Sequence, residues 1–169
     1  MIQKDYTWFD FSRFGMFIHW GVYSMGARYT WLKSHGKMTD EEYDRYVKHF
    51  NPDMFNPKEW ARLARRAGMR YVVFTAKHHD GYCMFDSKVT DYKYKEQDLL
   101  KGVIDAFRAE GMRIGVYYSL PDWHHPNYPR DARHPQRDEP KEVDFLPYRA
   151  YLHDQVQPLP RAALHHFGE

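Results

Sequence analysis

The chain has 169 residues, enough for one sizeable core and too few for two ordinary domains. Its 25 basic and 23 acidic side chains are interspersed, with a formal net charge of +2. That balance excludes the electrostatic footprint of a nucleic-acid or anionic-membrane binder, and a single cysteine, Cys83, excludes an internal disulfide and a cysteine-based metal site.

Residues 1–11 carry Lys4, Asp5 and Asp10 and lack the apolar run of a signal peptide. No stretch approaches the roughly 20 apolar residues of a membrane helix. A soluble, cytoplasmic chain is expected, or a secreted or periplasmic one if a leader precedes this start. The first strand-like run is 14–20, short, apolar and aromatic. Thr39-Asp40-Glu41-Glu42 is a capping box that opens a helix reaching about Phe50. Asn56-Pro57-Lys58-Glu59 places an N-cap residue, a first-turn proline and a capping-box glutamate in order. Trp60, Leu63, Ala64 and Ala67 then share one helical face, and Gly68 is a left-handed stop.

The run 71–76 (YVVFTA) is nearly continuous in apolar character, as in a parallel strand covered on both faces. The unit then repeats. Asp98 caps a helix whose apolar face is Leu99, Leu100, Val103, Ile104 and Phe107; Gly111 stops it, and 113–119 (RIGVYYS) is the next strand. The two helix-glycine-strand junctions lie 43 residues apart, Gly68 to Gly111, the pattern of βα units side by side. No Gly-rich phosphate loop follows any strand, against a nucleotide-binding open sheet. Polar residues instead cluster after the strand ends, at His19, at 77–81 and at 122–125, the rim where (β/α)8 barrels keep their active sites. An α/β fold is expected, a partial TIM-like (β/α)8 barrel of about the first three βα units. A whole barrel takes about 250 residues, so 1–169 reads as the N-terminal portion of such a domain, with a helix over 148–167, Gly168 as its stop, and the chain ending before a fourth strand.

Several residues here could carry chemistry. Histidines at strand ends suggest a metal, but barrel metal sites use His-x-His because alternate strand residues share a face. The pair His78-His79 stays open on local grounds between packing, metal and ligand roles. His124-His125 sits among prolines, as in an ordinary loop. His19, inside an apolar run, is as a rule a hydrogen-bonded core residue. Asp80 and Asp122 end neighbouring strands and are candidates for acid-base work, with capping the default. Aromatics make up 18% of the chain; most belong in a core, although flat rings also cover the apolar faces of sugars.

The runs FGMFIHWG (14–21), 37–92 with its KHHDG, and 98–129 together resemble glycoside hydrolase family 29, the α-L-fucosidases, over most of the chain to about Tyr151. The resemblance implies a catalytic (β/α)8-like barrel and retaining hydrolysis of α-L-fucosides, with no cofactor or metal, and with a fucosylated glycan or fucoside as the partner molecule. Residue by residue, it implies that His19, His78 and His79 hydrogen-bond fucose hydroxyls, that Trp31 lines the pocket, and that Tyr118 of the Tyr117-Tyr118 pair touches the sugar. Family members place the nucleophilic aspartate at the end of the fourth strand and the acid/base glutamate further on. Both are therefore expected beyond residue 169, and no catalytic residue is assigned within the chain. Thr30 stands where the family has a pocket glutamate, the link from Tyr92 to Asp98 is short, and Pro158 and Pro160 interrupt the expected last helix. The leading expectation is a piece of a fucosidase, inactive alone. A non-catalytic fucose-binding or structural remnant and a metal-dependent barrel hydrolase are the alternatives.

Overall fold

The computed structural model describes residues 7–131 and 133–159. Its elements follow in the order α1 (Thr7–Phe11), β1 (Met16–Ile18), a 3₁₀ turn (Val22–Gly26), α2 (Leu32–His35), α3 (Asp40–His49), α4 (Pro57–Arg66), β2 (Tyr71–Lys77), α5 (Leu99–Ala109), β3 (Arg113–Tyr118) and α6 (Leu146–Val156). The three strands form one parallel sheet in the order β1-β2-β3.

The expected caps are present. Thr39 Oγ1 accepts from the Glu42 amide while the Thr39 amide donates to the Glu42 carboxylate. Asn56 accepts from the Glu59 amide and Asp98 from the Lys101 amide. Gly68 and Gly111 have φ of 88° and 70°, the left-handed geometry that ends a helix.

Alternation along the strands separates two faces. Val72, Phe74, Ala76, Ile114 and Val116 join the core with Ala61 and Ala64 of α4 and Val103, Ile104 and Phe107 of α5. Fully burying one such large apolar side chain contributes about 1.5–3 kcal/mol. The other face is set by the pairs Phe17–Val73, Val73–Gly115 and Thr75–Tyr117, and it leads toward the carboxyl ends of the strands.

Three expectations need correction. The apolar face of α4 is rotated: Ala61 and Ala64 are buried, but Leu63 is 54% exposed. Small residues sit where the helix approaches the sheet, and Leu63 lies along an open apolar groove with Trp60, Met16 and Ile18. The first strand keeps only three of the seven residues in 14–20, because the chain turns away after Ile18. The last helix runs over Leu146–Val156 instead of 148–167. It has Pro147 in its first turn, where the missing N–H costs nothing, and it ends ahead of Pro158; the part of the expected helix from 160 onward lies outside the described residues.

Buried polar contacts tie the strand ends together. Lys77 Nζ lies 2.8 Å from Asp122 Oδ2 with both side chains buried, and 4.7 Å from the centroid of the Tyr118 ring. Asp122 Oδ1 accepts from the amides of His124 and His125. Burial pushes the Asp122 carboxyl up, but the Lys77 charge and these hydrogen bonds outweigh it and hold it below the ordinary carboxylate value. Gly81 (φ 84°) faces this carboxylate so closely that a Cβ would stand 2.4 Å from Asp122 Oδ1. Breaking a buried pair strands a charge and costs about 3–5 kcal/mol, while exchanging both partners for apolar groups can be neutral. Urea unfolding of Asp122→Ala is expected to show a loss of that size, and Lys77→Met/Asp122→Leu to recover most of it. Equal losses in the single and double variants would contradict this account.

Candidate functional site

At the carboxyl ends of the strands lies a cavity of about 680 Å³ bordered by His19, Trp31, His78, His79, Tyr117 and Trp123. Each reaches it from a different place. His19 follows β1, and its Nδ1 lies 3.3 Å from Thr75 Oγ1 on β2. His78 and His79 follow directly after β2. Trp31 caps the N-terminus of α2, and Trp123 donates its amide to the His79 carbonyl at 2.7 Å.

The three imidazoles converge. Ring centroids of His19 and His78 are 4.9 Å apart, and those of His78 and His79 are 4.3 Å apart. Strand alternation predicts that His78 and His79 diverge, and they do not. The β2–β3 register shifts between Thr75 and Lys77, the strand ends at Lys77, and a turn closes from the Gly81 amide to the His78 carbonyl. Beyond the strand, the pleat no longer sends neighbours to opposite faces.

Aromatic rings complete the walls. Tyr117 stands 5.6 Å from His19 and 6.1 Å from His78. Trp31 and Trp123 flank His79 at 5.3 and 5.1 Å, and the Arg133 guanidinium covers the Trp31 ring at 5.3 Å. Tyr118, the tyrosine expected to touch a ligand, is 4% exposed. It donates its hydroxyl to Gln155 Oε1 of α6 and its ring lies beneath Lys77. Both tyrosines border the cavity, and the Tyr117 ring is the one that stands against the histidines.

Contacts behind the cavity hold α2 and Trp31 in place. Lys33 pairs with Asp40 at 2.5 Å and lies over the Tyr43 ring. Tyr43 in turn donates to Asp80 at 2.6 Å. Ser34 Oγ donates to the Arg133 carbonyl, and Arg137 donates to the Ser34 carbonyl, which pins the loop after Asp131 against α2. Neither Asp80 nor Asp122 borders the cavity. Burial drives Asp80 above the ordinary carboxylate value despite the bond from Tyr43.

All three pocket histidines are pushed toward neutrality. Burial lowers His19. Burial first, then the neighbouring rings and Lys77, take His78 down to about 2. Burial and Lys77 take His79 to about 4. His78 is 3% exposed, and among the described residues its Nδ1 has no hydrogen-bond partner. His124 and His125 are framework groups: the first stacks on Tyr92 at 3.6 Å, and the second accepts from the Asn127 amide. Among the described residues no three His, Cys, Asp or Glu side chains converge as metal ligands would. Such a cavity offers directional, uncharged hydrogen-bonding groups and flat apolar walls, which suits a neutral polyhydroxylated ring.

Sequence reasoning found the histidines through the paired motifs FGMFIHWG and KHHDG, and Trp31 through the family resemblance. It missed Trp123 and Ser119, which no periodicity marks because both lie at or beyond the end of β3.

The neutrality of these rings implies a pH dependence. In the unfolded chain a histidine takes up its proton near pH 6.5, whereas folded His79 does so only near 4. Acid therefore favours the unfolded state. The stability gained by keeping these rings neutral is complete above about pH 6.5 and falls toward pH 4, by up to ~1.4 kcal/mol per pH unit for each ring. Urea unfolding between pH 7 and 5 is expected to give a shallower slope for His79→Asn than for the unsubstituted chain. An unchanged slope would show that His79 is not held neutral.

Comparison with known proteins bears on this site. The family model described as alpha-L-fucosidase matches residues 2–162. Tissue alpha-L-fucosidase of Bos taurus is 36% identical over 149 residues, covering 75% of this chain and 32% of that protein. Alpha-L-fucosidase isoenzyme 1 from Paenibacillus thiaminolyticus superposes with a TM-score of 0.86 at 49% identity, over 89% of this chain and 38% of its own. The alpha-L-fucosidase of Lactobacillus casei, solved with alpha-L-fucose product, matches with a TM-score of 0.67 at 36% identity, over 72% of this chain and 43% of its own. The chain spans about a third of the length of the curated relatives it matches. On the family match and these identities, the chain belongs to the alpha-L-fucosidase family.

Proposed function

We propose that the cavity holds the fucosyl residue of an α-L-fucoside, and that the chain is the first part of a (β/α)8 barrel whose complete form hydrolyses that residue with retention. The observation that carries the reading is the convergence of His19, His78 and His79, all held neutral, between the rings of Trp31, Trp123 and Tyr117. A neutral imidazole has one donor and one acceptor nitrogen, so three of them can meet several hydroxyls spaced around one sugar. The aromatic rings cover its C–H and methyl surface. Family membership and the fucose complex of the Lactobacillus casei relative support the same ligand.

Retaining hydrolysis needs two carboxyl groups about 5–5.5 Å apart across the scissile bond. On this reading neither belongs to these 169 residues. Asp80 and Asp122 are engaged behind the histidines by Tyr43 and Lys77. Asp131, which borders the cavity, accepts from the amides of Arg133 and His134 and from the Tyr128 hydroxyl, the pattern of a turn-forming aspartate. The assignment in this part of the site is recognition, with Tyr117 joining Tyr118 along the cavity wall.

Calorimetry with L-fucose tests the reading. The 169-residue chain is expected to bind L-fucose, and His78→Ala or Trp31→Ala to weaken that binding by about tenfold, the size of one lost hydrogen bond or stacking contact. An aryl α-L-fucoside is expected to bind without turnover. Equal affinity for D-glucose would sink the ligand assignment, and steady release of the aryl group would show that the catalytic carboxylates are within the chain.

A further inference from the structure

Ser119 makes two contacts that together determine where the proton of His79 sits. Its Oγ lies 2.5 Å from His79 Nδ1 and 2.7 Å from the Pro121 carbonyl oxygen. The carbonyl can only accept, and a serine hydroxyl has one hydrogen. That hydrogen is directed to Pro121, so toward His79 the serine oxygen can only accept. The ring is neutral and carries a single proton, which must therefore be on Nδ1. The second nitrogen, Nε2, then keeps its lone pair and can only accept. A free histidine side chain favours the opposite tautomer, with the proton on Nε2. Selecting the minority form therefore takes a fixed acceptor at Nδ1.

The surroundings fix that acceptor. Ser119 is 2% exposed, and its amide donates to the Lys77 carbonyl at 3.0 Å, continuing the β2–β3 pairing past the strand ends. The His79 ring is held edge-on to Trp31 and against Trp123, and its own carbonyl is tied to the Trp123 amide. Neither the hydroxyl nor the ring is free to turn. A similar arrangement recurs one strand over: Thr75 Oγ1 donates to the Ile18 carbonyl and lies 3.3 Å from His19 Nδ1, with both distances longer.

We propose that Ser119 is a positioning residue that locks His79 as the Nδ1–H tautomer, so that Nε2 meets the ligand as an acceptor and selects a hydroxyl that donates. The affinity consequence rests on the fucose reading above; the tautomer itself does not. A ligand presenting only an acceptor, such as an ether oxygen, at that point would meet a lone pair and be rejected.

The experiment is two-bond ¹H–¹⁵N correlation spectroscopy on the protein labelled with ¹⁵N-histidine, near pH 7, with His79 assigned through His79→Asn. The expected result is a His79 Nε2 resonating as the unprotonated, pyridine-type nitrogen and Nδ1 as the protonated one. Ser119→Ala is expected to move the ring toward the Nε2–H pattern and to weaken L-fucose binding about three- to tenfold, the range of one misdirected hydrogen bond. The wild-type spectrum is decisive even if the variant folds poorly. A protonated Nε2 in the unsubstituted protein would overturn the proposal, and so would an unchanged tautomer in a folded Ser119→Ala. Absence of L-fucose binding by a wild type that shows the Nδ1–H pattern would support the tautomer lock and overturn the ligand reading instead.

Discussion

The contact between Lys77 and Asp122 is the reference to which the rest of the cavity is built. Each ion costs several kcal/mol to bring out of water, and only good geometry and further hydrogen bonds offset that. Here the carboxylate also receives two backbone amides, and the ammonium lies against the Tyr118 ring. A shift of either strand end would therefore leave a charge exposed to apolar surroundings, so the ends of β2 and β3 have one relative position. His78 and His79 are the next residues after Lys77, and Trp123 is the next after Asp122. The ion pair is not part of the cavity wall, yet it sets the spacing of what is.

Around that reference the site is assembled from short segments whose positions are fixed by polar contacts. The helix behind Trp31 has four residues, too short to be stable by itself. It is held by Lys33 through Asp40 and Tyr43, and by Ser34 through the loop after Asp131. The last helix docks through two buried polar groups: Gln155 accepts from Tyr118 and donates to Ser87, and the Tyr148 hydroxyl donates to the Leu120 carbonyl. Buried polar groups of this kind are costly unless every member is paired, which makes each such contact specific in direction as well as in place.

Regular features were legible in the sequence. The capping box at Thr39, the N-cap at Asn56, the glycine stops and the two long buried strands follow from local rules, and the structure has them at those residues. The cavity wall was legible where a motif carried it, at His19, His78 and His79, and where the family resemblance did, at Trp31. Alternation along β3 separates Tyr117, which shares a face with Gly115, from Tyr118, which joins Ile114 and Val116 in the core. Leu63 was placed on the wrong face because periodicity identifies an apolar stripe but not which part of it meets the sheet. Ser119 and Trp123 act through contacts made after the strand ends, where no period applies.

The neutrality of the histidines also defines what this face of the pocket can do. A general acid near neutral pH needs a pKa close to the working pH, and His78 and His79 sit far below it. They are consequently poor proton donors in the catalytic sense and good fixed dipoles for an uncharged ligand. The same burial that keeps His78 neutral leaves its Nδ1 without a partner among the described residues, and the uncharged ring is the form that such surroundings favour.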